Sequence, residues 1–238
     1  MVCVVGVYVR TIKERVESVR ERIATAALRV GRDPGEVCVM AVAKTFPASA
    51  VEQVIAAGVS DIGENRVQEA KAKITEVKGP CRWHMVGHLQ TNKARLAVRL
   101  FDSIHSLDSS KLAQELQRAG SSLGKRVRTF IEVNLGQEQT KTGVAETEFF
   151  PLLEEAGALP NLSIEGLMVM PPYDPDPEAA RPYFRRLRQL RGEALSRFPH
   201  LALSHLSMGM SHDFEVAVEE GATIVRIGTA VFGARPIK

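Results

Sequence analysis

Six residues far apart in the sequence carry side chains suited to chemistry: Lys44, Asn65, His84, Asn134, Ser207 and Arg226. Lys44 closes an apolar run rich in valine, Val37-Cys38-Val39-Met40-Ala41-Val42-Ala43. Such a run suits a strand buried on both faces. An ammonium is costly to bury without a partner. At the mouth of a strand its amine can lose a proton and form a Schiff base with an aldehyde. A lone lysine at a strand end is ordinarily just solvated, but here the later strand ends also carry unusual polar groups. A lysine amine, hydrogen-bonding amides and an arginine together suit an anionic aldehyde.

The elements that must bring these residues together repeat one pattern, a short apolar strand ending in polar or glycine residues and then a helical stretch. Strand ends fall at Lys44, at Gly63-Glu64-Asn65, from His84 to His88, at Ser106, at Asn134, from Met168 to Met170, at Ser207 and at Arg226. Eight alternating β and α elements imply a parallel sheet closed into a (β/α)8 TIM-type barrel, whose strand carboxyl ends converge on one face. The alternative, an open doubly wound sheet, would want a glycine-rich first turn, and no G-x-G-x-x-G is present. Ahead of the first strand, Ile12, Val16, Val19, Ile23, Ala26 and Val30 recur at helical spacing. Ser49 is placed to cap a helix running through Ala57. Residues 10–238 then form one barrel domain, and residues 1–9 are an apolar extension outside it.

The strongest local signal follows the last two strands. Ser207-Met208-Gly209-Met210-Ser211 leads into a helical stretch with Phe214, Ala217 and Val218, and Gly228-Thr229 follows the final strand. Small residues leave backbone N–H groups open to anions, and the loops after strands seven and eight are the usual phosphate site of such barrels. Each motif alone would pass for a tight turn, where Gly and Ser are common. Together with Lys44 they favour a phosphorylated aldehyde, pyridoxal 5′-phosphate (PLP).

Ala43-Lys44-Thr45, Gly63-Glu64-Asn65-Arg66-Val67-Gln68-Glu69, Trp83-His84-Met85-Val86-Gly87-His88-Leu89-Gln90, Val133-Asn134, Gly166-Leu167-Met168, Leu206-Ser207-Met208-Gly209-Met210-Ser211 and Arg226-Ile227-Gly228-Thr229 occur in that order. In these motifs the chain closely resembles the pyridoxal phosphate homeostasis protein family, single-domain relatives of the alanine racemase barrel, from about Ile12 onward. Ile62 stands where the family usually has Phe, and Met170-Pro171-Pro172 departs from its usual sequence after Gly-Leu-Met. The resemblance implies that Lys44 forms the internal aldimine. It implies that Ser207, Gly209, Gly228 and Thr229, with backbone at Met208 and Met210, hold the phosphate. Arg226 would face the pyridine nitrogen, and Asn65 and His84 would line the ring. A guanidinium only donates, so it discourages protonation of that nitrogen and makes the ring a poorer electron sink.

The expected role is therefore intracellular PLP binding, homeostasis and delivery to apo PLP-dependent enzymes, probed against the rival of a low-activity amino-acid racemase. Racemisation needs a base on each face of the α-carbon. In the racemase relatives the second base is a tyrosine from a β-rich domain, which this chain has no room for. Its tyrosines are Tyr8, Tyr173 and Tyr183, and Tyr173 reads as a surface-loop residue. Lys141 matches a family lysine and reads as a solvated loop residue.

Composition bounds the remaining classes. The chain has 238 residues, 45% hydrophobic and 25% charged, with formal net charge +3, which is ordinary globular composition. The basic residues are interleaved with Glu, so there is no nucleic-acid footprint. No apolar run is long enough to span a bilayer. Cys3, Cys38 and Cys81 are scattered and odd in number, which fits a reduced cytoplasmic protein. His84 and His88 lack a third ligand at suitable spacing, so no metal is expected. A monomer is expected.

Overall fold

The computed structural model describes residues 10–136 and 142–234. The expectations for residues 1–9 and for Lys141 lie outside the described residues. The described residues form nine strands: β1 Cys38–Val42, β2 Asp61–Glu64, β3 Arg82–Met85, β4 Ser103–Leu107, β5 Val127–Asn134, β6 Val144–Ala145, β7 Leu162–Met168, β8 His205–Met210 and β9 Ile224–Ile227. All but β6 form a parallel ring in chain order, closed by pairing of β9 with β1 and of β4 with β5. This is the expected eight-stranded barrel. The two-residue β6 extends the sheet beside the end of β5 and has no counterpart in the sequence reading.

The strands alternate between two environments, as period two requires. In β1, Ala41 packs outward into the large apolar layer under the helices, whereas Met40 joins Phe130, Met168 and Ile224 in a small cluster inside the ring. The outer layer holds Val16, Val19 and Ile23 of the first helix, Ile12–Arg29, and Phe149, Phe184 and Phe214 of later ones. That helix begins at a capping box, with Thr11 and Glu14 each bonding the other's backbone N–H. Its Arg22 reaches Glu215 at 2.7 Å. The helix after β1 runs Ala48–Ala56 behind Pro47, with no side-chain cap. Ser49 therefore lies inside its first turn, two residues past Pro47, whose fixed φ suits a helix entry and starts the helix earlier than the expected cap. No helix among the described residues is long and apolar enough to cross a membrane.

Candidate functional site

Lys44 sits two residues beyond β1, half-buried, in a tight turn. Ala43 continues the ladder by donating to the Gly63 carbonyl (2.9 Å), and Phe46 N–H closes the turn onto the Ala43 carbonyl (3.1 Å). Thr45 occupies the third turn position with φ +69°. That is a conformation usually left to glycine or asparagine. Beneath the turn, Lys73 donates to the Ala43 carbonyl (2.5 Å) and pairs with buried Glu64. Phe46 stacks on Phe232 at 4.7 Å between centroids, which ties the lysine turn to the segment after β9.

Lys44 opens on a cavity of about 460 Å³ at the carboxyl ends of the strands, a size normal for a cofactor site. The wall includes Asn65, Met210, Ser211, Arg226, Gly228 and Thr229. The Ser211 hydroxyl accepts from the backbone N–H groups of Gly228 and Ala230, both at 3.2 Å. A Cβ on Gly228 would meet only the Val42 carbonyl, at 3.8 Å, so the protein leaves open space there. The Ser211 and Thr229 hydroxyls beside that space suit a phosphate.

Arg226 lies inside the barrel and also reaches the cavity wall. It donates to the Ser207 carbonyl (2.6 Å), the Ser207 hydroxyl (3.0 Å) and the Val169 carbonyl (2.9 Å). Burial lowers its pKa, opposed by the charges of Glu132 and Asp213, and a guanidinium stays charged regardless.

Across the ring, Glu132 of β5 lines the cavity and accepts from Thr142 at 2.9 Å. Its other carboxyl oxygen has no partner among the described residues. Burial raises its pKa, against the Thr142 hydrogen bond and the charge of Arg226. His88 of the same wall stands 3.2 Å from Asp108.

The cavity thus gathers Lys44, Asn65, Met210, Arg226, Gly228 and Thr229 of the residues singled out from the sequence. Five others do not line it, among them Asn134, which ends β5 half-buried. His84 is buried within the barrel, its ring nitrogens at 2.9 Å from Asp61 and 2.7 Å from Ser103. Ser207 is fully buried and bonds His105 at 3.1 Å, because β8 runs on to Met210 rather than ending at the serine. Met208 packs into the outer layer. Gly209 adopts φ +89°, and a Cβ there would fall 2.5 Å from Ala217 Cβ, so glycine lets the helix Phe214–Glu219 pack on β8. Ser211, Glu132 and Lys73 were not singled out. The repeated serine of the Ser-Met-Gly-Met-Ser motif and a glutamate inside an apolar strand were their signals. Lys73 had none beyond its helical position.

Residues 15–236 match the family model described as alanine racemase, N-terminal domain. The pyridoxal phosphate homeostasis protein of Aquifex aeolicus is 48% identical over 93% of this chain and 97% of its own. That of Pseudomonas aeruginosa is 42% identical over 94% and 96%. Among solved structures, PipY of Synechococcus elongatus with PLP bound is 38% identical, with TM-score 0.84, covering 94% of this chain and all of that one. Alanine racemase from Clostridium difficile, 15% identical with TM-score 0.71, shares the fold over 96% of this chain and 58% of its own.

Proposed function

This chain belongs to the pyridoxal phosphate homeostasis protein family, and on that premise we propose that it holds PLP through Lys44, keeps the free aldehyde low and supplies apo-enzymes. The observation that carries this reading is the convergence of Lys44, the Ser211–Gly228–Thr229 cluster and Arg226 on one cavity. The donor set fits the group. Lys44 offers an amine for the aldehyde carbon. Ser211 and Thr229 offer hydroxyl contacts to the phosphate, and Gly228 leaves room for it. Arg226 offers a fixed positive donor to the ring nitrogen, and Asn65 and Met210 complete the wall. When bound, the cofactor supplies an electrophilic carbon conjugated to a ring that can accept electrons. Arg226 cannot accept a proton, so it keeps that ring a weak electron sink, which disfavours transamination and is compatible with holding the cofactor or with racemisation. The scattered cysteines support a reducing compartment.

Racemisation would need a second base opposite Lys44. Tyr173 lines the cavity but is 79% exposed, so little packing fixes it against a substrate. The test is a PLP titration followed by the visible absorption of lysine-bound cofactor, with Lys44→Ala as control. The band is expected in the wild type and absent in the variant. The loaded protein is then incubated with L-amino acids in D2O. No α-proton exchange beyond that with free PLP, together with activation of an added apo-enzyme, supports the carrier. Sustained exchange with appearance of the D-isomer, lost in Lys44→Ala, overturns it in favour of the racemase.

A further inference from the structure

A line of hydrogen-bonded side chains crosses the barrel interior from the cofactor cavity to the opposite end. Arg226 donates to the Ser207 hydroxyl at 3.0 Å. Ser207 meets His105 Nδ1 at 3.1 Å, and His105 Nε2 meets Ser103 at 2.9 Å. Ser103 meets His84 Nδ1 at 2.7 Å, and His84 Nε2 meets Asp61 at 2.9 Å. Arg82 clamps Asp61 with contacts of 2.8 and 2.7 Å. Asp61, His84, Ser103, His105, Ser207 and Arg226 are all buried.

Donor and acceptor bookkeeping gives the line one direction. Arg226 can only donate, so the Ser207 oxygen accepts and its hydrogen goes to His105 Nδ1. His105 must then carry its proton on Nε2 and donate to Ser103. Ser103 donates to His84 Nδ1, and His84 donates through Nε2 to the Asp61 carboxylate, which can only accept. Reversing the middle of the line would leave the Ser207 hydroxyl hydrogen without an acceptor among these contacts. Burial opposes charging of His105, with the charge of Arg226 adding to it, so a neutral ring fits. Burial pushes the Asp61 carboxyl up, but hydrogen bonds from His84 and Arg82 outweigh it and hold the pKa low. Phe130 stacks on His105 at 3.9 Å and 15°, which fixes the ring plane so that its two nitrogens face the two serines.

We propose that Ser103, His105, His84 and Asp61 are positioning residues for Arg226, holding its guanidinium from behind in the orientation offered to the cofactor ring. The proposal rests on the reading of this cavity as the PLP site and adds residues that do not line it. A cut made at Ser103 or Asp61 should therefore be felt at the cavity.

The test uses the full-length protein and three variants, Ser103→Ala, Ser103→Thr and Asp61→Asn, each checked for folding by thermal melting without cofactor. PLP half-saturation is read from the visible band. Loss of support for a hydrogen-bonded charge is expected to raise it roughly tenfold in Ser103→Ala and Asp61→Asn, and Ser103→Thr, which keeps the hydroxyl, is expected to stay near wild type. Independently of cofactor, nitrogen-15 NMR of the imidazoles is expected to show His105 protonated on Nε2 in the wild type. Folded Ser103→Ala and Asp61→Asn proteins with wild-type half-saturation would overturn the proposal, as would a His105 protonated on Nδ1. Should a variant melt too low to titrate, the His105 tautomer alone decides. Absence of any Lys44-dependent band in the wild type would instead sink the reading of the cavity, and the NMR result would still report on the line itself.

Discussion

The barrel has a cavity at each end, and the two are nearly equal, about 460 Å³ at the carboxyl ends of the strands and about 470 Å³ at the amino ends. Size does not tell them apart; what their polar groups do tells them apart. At the amino end Arg20 is committed to the Ala57 and Gly58 carbonyls, at 3.1 and 2.7 Å, closing off the C-terminus of the helix before β2. Asp61 is committed to Arg82 and His84. The Cys38 thiol is pushed up to about 12 by burial first and then by the Asp61 carboxylate. At the carboxyl end Lys44, Arg226, Ser211 and Thr229 converge on one space, and Glu132 keeps a carboxyl oxygen unpartnered among the described residues. One end of the fold spends its charges on itself, and the other presents them, as barrels of this kind generally do.

The largest effect that could break this contrast is at Cys38. Alkylating reagents attack the thiolate, so iodoacetamide at pH 8 should label Cys38 at least about a hundredfold more slowly than an unshifted thiol. A mass-spectrometric time course reads the rate, and labelling at the rate of an ordinary thiol would mean that the lower cavity is open and reactive. Next, Arg20→Ala should cost about 1–2 kcal/mol of stability in urea unfolding while leaving PLP half-saturation within about twofold. A large change in PLP binding would mean that the two ends are not separable in this way.

Two carboxyls sharpen the comparison through pH. Glu132 has a raised pKa, so the folded state keeps its proton above the ordinary Glu value. Its contribution to stability is therefore lost as pH rises from about 4.3 through the folded pKa. Glu132→Gln removes that loss, and thermal melts from pH 4 to 8 should show the variant gaining on wild type toward neutrality, with the gap closing in acid. Asp61 is the opposite case. Its pKa is held low, so its contribution is present above about 3.9 and lost as pH falls. Asp61→Asn should accordingly lose stability at neutral pH, and matching trends for the two variants would contradict the assignment. The smallest expected effect is at Thr45. Thr45→Gly relieves a positive φ at a β-branched residue but adds unfolded-state freedom, so the net gain should stay within about 1 kcal/mol in denaturant melts.

The ring of strands was legible in the sequence because each strand is a short apolar run followed by a helix-period segment, and eight such units close in only one common way. Lys44, Arg226 and Gly228-Thr229 were legible for the same reason, since they stand at or just past the ends of those runs. Ser207 lies three residues short of Met210 and His84 two short of Val86, the nearest residues after each that line the cavity. At about 3.3 Å of rise per strand residue, an offset of this size carries a side chain from the mouth into the interior. The interior line itself left a trace that went unread. Ser103 and His105 stand two apart in the strand Ser103-Ile104-His105-Ser106-Leu107, the spacing that puts both on one face. The partnership of Lys73 with Glu64 beneath the lysine turn was not legible, since it joins a helix to a strand through contacts that only the folded chain creates.

The central claim is that Lys44 is the residue that holds the cofactor. Borohydride reduction of the PLP-loaded protein, followed by peptide mass mapping, tests it most directly, because reduction makes the linkage permanent. A single pyridoxyl-phosphate adduct on the peptide containing Lys44 is the expected result. An adduct on another lysine, or protein that carries none after loading, would contradict the account.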